Sequence, residues 1–496
     1  MEMKNVFKKI SQSTLGKASV VVIVLALFLL LIQGVKAMSY PWINPMSGGS
    51  QYARGFGVAL GLVENPITVG DFAGTLDLTP YSGSLFTATD GYDLYVAAFD
   101  KFGSVDWDAA FGGDCYEEYP AMHIINCDDQ ALSVTTDSQG NVIVTGKYIG
   151  PMTMGSTLLP SYGEEDVFVA KFDNTGTLLW VVDGGGTGED IGRDVAVDAN
   201  DDIYITGSFT DYAEFQGIPV SSSTLSRTAF LAKISSGGMV SYVKSAGGLS
   251  DDYGTTVATN QNNDVVLATI CYGDVFFDTI TLTGDSYDVC LAQYDQTGSI
   301  MWAIREGISD GVEEANAVAV DSNDNIVVTG RFNQDTNFSG QALTTPSGGV
   351  YSVFIAQYDS LGVLNWVTQS VITANPMPPP TSLASSNANG VAIDVHMKDE
   401  IHIVGTYAGE MSFGSYVLPR TKANDGVNVY IVELDSNGNA VWVDVGGGVN
   451  TEVITDIASH PLSDLRAFTG RFFEKFDIGS YTFNAGSTAD AFVGVF

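Results

Sequence analysis

The chain has 496 residues, 45% hydrophobic and 16% charged, which is enough apolar material for a large core. Its formal net charge is −37, from 21 Lys and Arg against 58 Asp and Glu. Without the five lysines and one glutamate of residues 1–37, 16 basic and 57 acidic residues remain. So acidic a surface repels phosphate backbones, which excludes nucleic acid as an expected partner.

Residues 1–37 have the organisation of an export signal. Lysines precede an uncharged apolar run over residues 18–35, and small residues stand at Val35 and Ala37, as signal-peptide cleavage requires. The run also approaches the length of a membrane span. A cleaved signal peptide and a retained signal anchor are both open, and both place residues 38–496 outside the cytoplasm. We expect a secreted protein, or an extracytoplasmic one that meets the membrane only through residues 18–35.

A repeated segment organises the remainder of the chain. Its best copy, DVFVAKFDNTGTLLW at residues 166–180, reads as two short strands around a turn. Seven copies end on a large aromatic residue, at intervals of 60 to 76 residues. These residues are Trp42, Trp107, Trp180, Tyr242, Trp302, Trp366 and Trp442. A long period with one large aromatic per unit indicates a repeat architecture.

Each unit reads as four strands, which we name A to D. In the third unit they start near Gly192, Asp202, Thr228 and Met239, and all are rich in β-branched and aromatic residues. The C–D turn has an Asp-x-x-Gly pattern, which predicts a hairpin with a bulge. We interpret the Trp positions, and an aromatic at the end of each strand B, as packing between units.

The two ends of the chain predict how the array closes. The first repeat strand, around Trp42, is a strand D without A, B or C before it, and Phe496 ends a strand C. The first strand would therefore complete the last unit, which removes the exposed edges of an open array. The predicted fold is all-β, a single seven-bladed β-propeller of four-stranded antiparallel blades over residues 38–496, after an N-terminal apolar helix.

The stretch GEDIGRDVAVDANDDIYITGSF, followed by strands of the DVFVAKF and Trp types, resembles the SBBP-type β-propeller repeat of secreted bacterial and archaeal proteins. The resemblance covers residues 40–496. It implies antiparallel four-stranded blades around a central channel, and it implies no single activity. Tyr242 for Trp and Ile270 for Gly depart from the pattern.

Two long D–A loops are the first candidates for a functional site, because long surface loops commonly carry binding residues. The distances from Trp107 to Gly146 and from Trp366 to Gly405 are both 39 residues, longer than in the other units. The first loop is flanked by Cys115 and Cys127, for which we predict a disulfide. Its binding candidates are Tyr116, Tyr119 and His123. The second, over residues 370–389, is rich in proline and could bind a partner or be a tolerated excursion.

Acidic residues also collect in the D–A loops. The candidates for binding are Glu189, Asp190, Asp251, Asp252, Glu313 and Glu314. No cofactor is expected, with Ca²⁺ at Asp251 and Asp252 as the alternative, because Ca²⁺ prefers several oxygen ligands. The pairing of Cys271 with Cys290, on strands B and C of one unit, depends on strand register and is left open.

No catalytic motif stands out. The histidines His123, His396, His402 and His460 are scattered without metal-ligand spacing, and neither a G-x-S-x-G elbow nor a P-loop is present. The favoured function is a non-enzymatic binding or scaffold module for a protein or glycan, contacted through the D–A rim. The alternatives are a hydrolase or lyase with an acidic, Ca²⁺-dependent site at the channel mouth, and a structural coat subunit.

Overall fold

A computed structural model describes residues 42–48, 52–113, 127–222, 225–307, 311–345, 350–372, 388–396, 399–419, 427–448, 451–460, 462–478 and 481–496. Residues 42–495 belong to one compact unit. The export signal and N-terminal helix predicted for residues 1–37 lie outside the described residues. Among the residues described, no helix has the length and hydrophobicity of a membrane span.

The described structure is all-β, with one short 3-10 helix at Thr79–Tyr81. The strands are β1 Ile43–Met46, β2 Ala53–Leu60, β3 Pro66–Asp77, β4 Leu85–Phe99, β5 Val105–Phe111, β6 Gln130–Thr136, β7 Val142–Tyr148, β8 Met152–Met154, β9 Thr157–Leu159, β10 Asp166–Phe172, β11 Leu178–Gly185, β12 Ile191–Val197 and β13 Ile203–Thr210. They continue as β14 Tyr212–Phe215, β15 Ile218–Ser221, β16 Arg227–Ile234, β17 Val240–Gly248, β18 Tyr253–Thr259, β19 Val265–Tyr272, β20 Val275–Phe277, β21 Ile280–Leu282, β22 Tyr287–Tyr294, β23 Ile300–Glu306, β24 Glu313–Val320, β25 Ile326–Phe332 and β26 Thr336–Phe338. The last are β27 Gln341–Leu343, β28 Ser352–Tyr358, β29 Leu364–Gln369, β30 Val371–Ile372, β31 Ala388–Val395, β32 Ile401–Tyr407, β33 Met411–Phe413, β34 Tyr416–Leu418, β35 Asn428–Leu434, β36 Ala440–Gly448, β37 Val453–Ser459, β38 Arg466–Ile478 and β39 Tyr481–Val495.

Strand pairing groups these strands into four-stranded antiparallel units in the predicted order A to D. Units one to six are β2-β3-β4-β5, β6-β7-β10-β11, β12-β13-β16-β17, β18-β19-β22-β23, β24-β25-β28-β29 and β31-β32-β35-β36. In the seventh, β37, β38 and β39 are joined by β1, in which Ile43 pairs with Gly494 and Met46 with Ala491. The A strands pack side by side along the series, and β37 also packs against β2.

The hydrophobic core lies between the units. Each buried cluster combines side chains of two neighbouring units; one, for example, joins Val169 of unit two to Ile205 and Phe230 of unit three. This follows from the sequence, because strands B and C are apolar on both faces and a single sheet cannot cover both. The Trp positions of strand D pack against the same clusters, as predicted.

Short hairpins between strands B and C were not predicted. In unit three the hairpin β14-β15 pairs with strand D of unit two, through Gly184 and Phe215. The hairpin β20-β21 covers β17 in the same way, with Ala246 opposite Phe277. Each hairpin therefore protects an outer strand that would otherwise present unpaired backbone groups.

Cys271 and Cys290 form a disulfide between strands B and C of unit four. Cys271 lies opposite Asp288 and Cys290 opposite Thr269, so the two cysteines are diagonal neighbours on one face of the pair. Cys127 is also disulfide-bonded, and Cys115 lies outside the described residues.

Candidate functional site: the central channel and its two mouths

The A strands of all seven units line a central cavity of about 560 Å³. Its lining includes the polar residues Ser133, Asp194, Thr256 and Asp456. Asp194 accepts hydrogen bonds from the hydroxyls of Ser133 and Thr256, at 2.7 and 2.8 Å, and Asp456 accepts one from the backbone N–H of Val58 at 2.8 Å. These bonds join neighbouring units around the channel, and burial raises the pKa of both carboxyls.

Two predicted binding acids, Asp190 and Asp252, are buried and tie strands together. Asp190 accepts backbone N–H groups from Gly186 at 2.6 Å and Thr210 at 3.2 Å. Asp252 likewise accepts the backbone N–H groups of Gly248 at 2.7 Å and Tyr272 at 2.9 Å. Each carboxylate therefore fastens the end of one unit's strand D to the end of the next unit's strand B. Burial raises the pKa of Asp190 to about 8 and that of Asp252 to about 6.

The other predicted acids also contact groups of the protein. Glu189 forms an ion pair with Arg227, and Asp251 accepts the backbone N–H of Arg227 at 3.0 Å. Glu314 pairs with the Nε of Arg331 at 2.6 Å. Glu313 is fully buried, and burial raises the pKa of its carboxyl. The expectation of Ca²⁺ at Asp251 and Asp252 stays a prediction.

Tyr116, Tyr119 and His123 lie outside the described residues, as do residues 373–387 of the second long loop.

The D–A mouth, which we define as the end of the channel where A strands begin, concentrates basic residues. Seven of the 16 basic residues that follow residue 37 lie on strand ends at this side. They are Arg54, Lys147, Arg193, Arg227, Arg305, Arg331 and Arg471. Five have carboxylate partners: Asp71 for Arg54, Glu165 for Lys147, Glu189 for Arg227, Asp288 for Arg305 and Glu314 for Arg331.

Arg193 and Arg471 differ from these five. Within the part of the chain that the structure describes, neither guanidinium has an ion-pair partner, and the Nε of each is buried without a hydrogen bond. Burial lowers the pKa of both side chains. Arg193 lines the channel, and Arg471 lies near Arg54. A buried cation without an anion is unfavourable, so both side chains are suited to an anionic ligand.

Tyrosines surround the same mouth. The ring of Tyr253 lies 5.7 Å from the guanidinium carbon of Arg193 and 5.8 Å from that of Arg227. Tyr272 and Tyr287 have ring centroids 4.6 Å apart, and both are exposed. Aromatic rings beside arginines are typical of recognition surfaces, because they offer contact area at a low cost in conformational entropy.

Three histidines that look scattered in the sequence lie close together near the opposite, A–B mouth. His396, His402 and Arg466 all lie near the buried carboxyl of Asp394. His396 and His460 line a second cavity of about 350 Å³. Spacing along the chain does not reveal this proximity, because neighbouring units bring equivalent turns together.

Comparison with known proteins supports a repeat fold. No family model matches the chain. It is 24% identical over 419 residues to an uncharacterised WD repeat-containing protein of Acanthamoeba polyphaga mimivirus, covering 68% of this chain. The chain spans about 30% of the length of that relative. WD repeats build β-propeller blades of four strands, as found here. The fold is a β-propeller.

The solved structures that resemble this chain do so with low TM-scores. Virginiamycin B lyase from Staphylococcus aureus is 10% identical with a TM-score of 0.39, covering 92% of this chain and 99% of its own. An ulvan lyase is 11% identical with a TM-score of 0.40, covering 90% and 97%. A gluconolactonase from Xanthomonas campestris is 10% identical with a TM-score of 0.30, covering 72% and 89%.

Proposed function

We propose that the chain is an exported, closed, seven-bladed propeller with SBBP-type repeats that binds an acidic glycan at the D–A mouth. Closure is supported by the pairing of β1 with β39 and by the packing of β37 against β2. Export is supported by the lysines and apolar run of residues 1–37. The SBBP assignment is supported by the repeat pattern of the sequence.

One observation carries the choice of ligand. Among the described residues, Arg193 and Arg471 have no anionic partner, on a chain whose net charge is −37. Solubility alone would favour acids at these positions, as it does over the remaining surface. A guanidinium presents a planar pair of donors that matches a carboxylate or sulfate group. Tyr253, beside Arg193, offers a ring face for the apolar side of a sugar. Uronic or sulfated sugars combine both features.

An enzyme is the second candidate, and the phenol of Tyr253 is the feature that favours it. Arg227 donates a hydrogen bond from Nη1 to this phenol at 3.4 Å, and the guanidinium of Arg193 lies across the ring. As a phenolate beside an acidic sugar, Tyr253 would take the proton next to the sugar carboxylate, which β-elimination requires. The predicted acids favour this candidate less, since Asp190 and Asp252 already bond backbone N–H groups.

The test is a titration of the soluble chain with acidic and neutral oligosaccharides of equal length. We expect binding to oligouronate, weakened by salt, and none to the neutral oligosaccharide. Arg193→Gln and Arg471→Gln should each weaken binding about 10- to 100-fold, the contribution of a charge-assisted hydrogen bond. Lys244→Gln is the matched control, because Lys244 pairs with Asp278 on the outer part of unit three.

Equal affinity for the neutral oligosaccharide, or an unchanged affinity in both arginine variants, would reject this function. Binding of an acidic peptide in place of the glycan would show that the partner is a protein. Release of unsaturated uronate during the titration, lost in Tyr253→Phe, would establish a lyase.

A further inference from the structure

Unit six contains a second candidate site, close to the A–B mouth. Glu400 ends the A–B turn, His402 lies on strand B and Glu433 on strand C. One potential ligand atom from each lies within 4.8 Å of the others. His402 is fully buried, and neither of its ring nitrogens has a hydrogen bond to another described residue. Its Nε2 lies 3.5 Å from a carboxylate oxygen of Glu433, longer than a hydrogen bond.

Units two and three have a lysine at the equivalent place on strand C. In unit three the ammonium of Lys233 lies 3.8 Å from Asp198 and 3.0 Å from Asp202, the first and last residues of the A–B turn. In unit two Lys171 lies 2.8 Å from the turn residue Asp137. A cation from strand C thus neutralises the acids of the turn. Glu433 occupies the position of Lys233, since it pairs with His402 as Lys233 pairs with Tyr204.

Unit six therefore has an acid where units two and three have the cation, and an imidazole beside it. Arg466 of unit seven contacts Glu400 at 3.0 Å and compensates one charge. The buried Asp394 adds another carboxyl to this neighbourhood. His402 therefore lies buried beside two carboxylates, with no hydrogen-bonding partner among the residues that the structure describes. A buried polar nitrogen without a partner is unfavourable, and a bound metal ion would satisfy it.

We propose that Glu400, His402 and Glu433 bind one divalent transition-metal ion of the Zn²⁺ class, which takes the place of the strand-C ammonium. One imidazole and two carboxylates suit Zn²⁺, which accepts three protein ligands and a water. Ca²⁺ fits less well, because it takes six to eight oxygen ligands and no imidazole. The ion would join the turn and two strands of unit six beside the second cavity.

The test uses the full chain, freed of metal by a chelator and dialysed. Titration with Zn²⁺ should show one equivalent bound, and Co²⁺ should give the visible absorption of a low-coordinate site. His402→Gln and Glu433→Gln should each weaken binding by at least about 100-fold, as loss of a ligand does. His396→Gln is the matched control, because His396 bonds the carbonyl oxygen of Ser463 at 2.8 Å and should not alter binding.

Glu433 is partly exposed, so Glu433→Gln keeps the test valid if His402→Gln does not fold. Absence of a Zn²⁺ equivalent in the parent chain would overturn the proposal. Full binding in Glu433→Gln, or loss of binding in His396→Gln, would overturn the ligand set. A site confirmed here says nothing about the glycan at the D–A mouth, so the two proposals fail separately.

Discussion

The indole of Trp42 donates its Nε1–H to the carbonyl oxygen of Lys101 at 3.0 Å. The same bond recurs between later units, from Trp180 to Ser236 at 3.2 Å and from Trp366 to Ser436 at 3.0 Å. Each of these Trp side chains therefore attaches one strand D to the C–D turn of the following unit. Trp42 makes this bond to unit one, and the adjoining strand β1 pairs with β39 of the seventh unit.

The C–D turn requires glycine for two reasons, a positive φ and the close approach of a Trp side chain. Gly103 has a φ of +86°, and a Cβ there would meet Trp42 at 3.0 Å. Gly217 has a similar φ of +84° but nothing within 4 Å of an added Cβ. Gly103→Ala and Gly217→Ala should both lose about 1 kcal/mol through backbone strain. Gly103→Ala should lose about 1–3 kcal/mol more, because the added methyl overpacks the indole. Equal losses in chemical denaturation would show that the Trp contact contributes nothing.

The repeat pattern predicted the strands, the turns and the packing role of Trp, because these depend on local periodicity and turn chemistry. It did not reveal the B–C hairpins, whose strands of three or four residues are too short for a periodic signal. The predicted acids at the start of strand A bond neighbouring strands instead of facing solvent. Local sequence does not show this, because the bonded groups lie in other units.

The sequence analysis missed the basic residues of the D–A mouth and the histidines near the A–B mouth for a related reason. Lys147, Arg331 and Arg471 occupy equivalent positions on strand B, but they are far apart in the chain. His396 and His460 stand at the turn position that Asp137 and Asp198 occupy elsewhere. Superposing the repeats would have shown both substitutions. Only the structure shows that the guanidinium Nε of Arg471 has no hydrogen bond among the described residues and that His402 lies beside Glu433.

Stability should fall as the pH rises from about 4 to 8. Burial raises the pKa of Asp129 to about 7 and that of Asp190 to about 8, against about 3.9 in an unfolded chain. The folded state then binds more protons than the unfolded state between these values. The contribution of these two carboxyls to the free energy of unfolding is complete below about pH 4, and it is lost as the pH rises through about 7 to 8.

Thermal unfolding at several pH values measures this dependence. The parent chain should have a higher Tm at pH 5 than at pH 8, and Asp190→Asn should flatten the slope. Asp173→Asn is the control, because hydrogen bonds lower the pKa of this exposed turn carboxyl. A parent Tm that rises between pH 5 and 8 would contradict the assignment.

Removing the disulfide of unit four should lower the free energy of unfolding, but the chain should still fold. Cys271 and Cys290 are separated by 19 residues, and closing such a loop contributes about 3 kcal/mol in the chain-entropy model. Both sulfurs are buried, so the double Cys→Ala variant also loses some packing. Denaturant unfolding should show a loss of about 3–4 kcal/mol at an unchanged m-value. Reduction of the parent chain should give a similar loss, and no loss in either case would contradict a stabilising role.

Arg193→Met should stabilise the free protein while it abolishes binding of the acidic glycan. The guanidinium of Arg193 is mostly buried without an anionic partner among the described residues, and a Met side chain of similar length avoids that desolvation cost. We expect a gain of about 1–2 kcal/mol, the range found where function maintains an unfavourable group. Arg331→Met is the matched control, since Arg331 is paired with Glu314 and its loss leaves that carboxylate without its cation. It should destabilise the chain. If Arg193→Met also lowers Tm, the side chain has a structural role, and its lack of a partner no longer indicates a ligand.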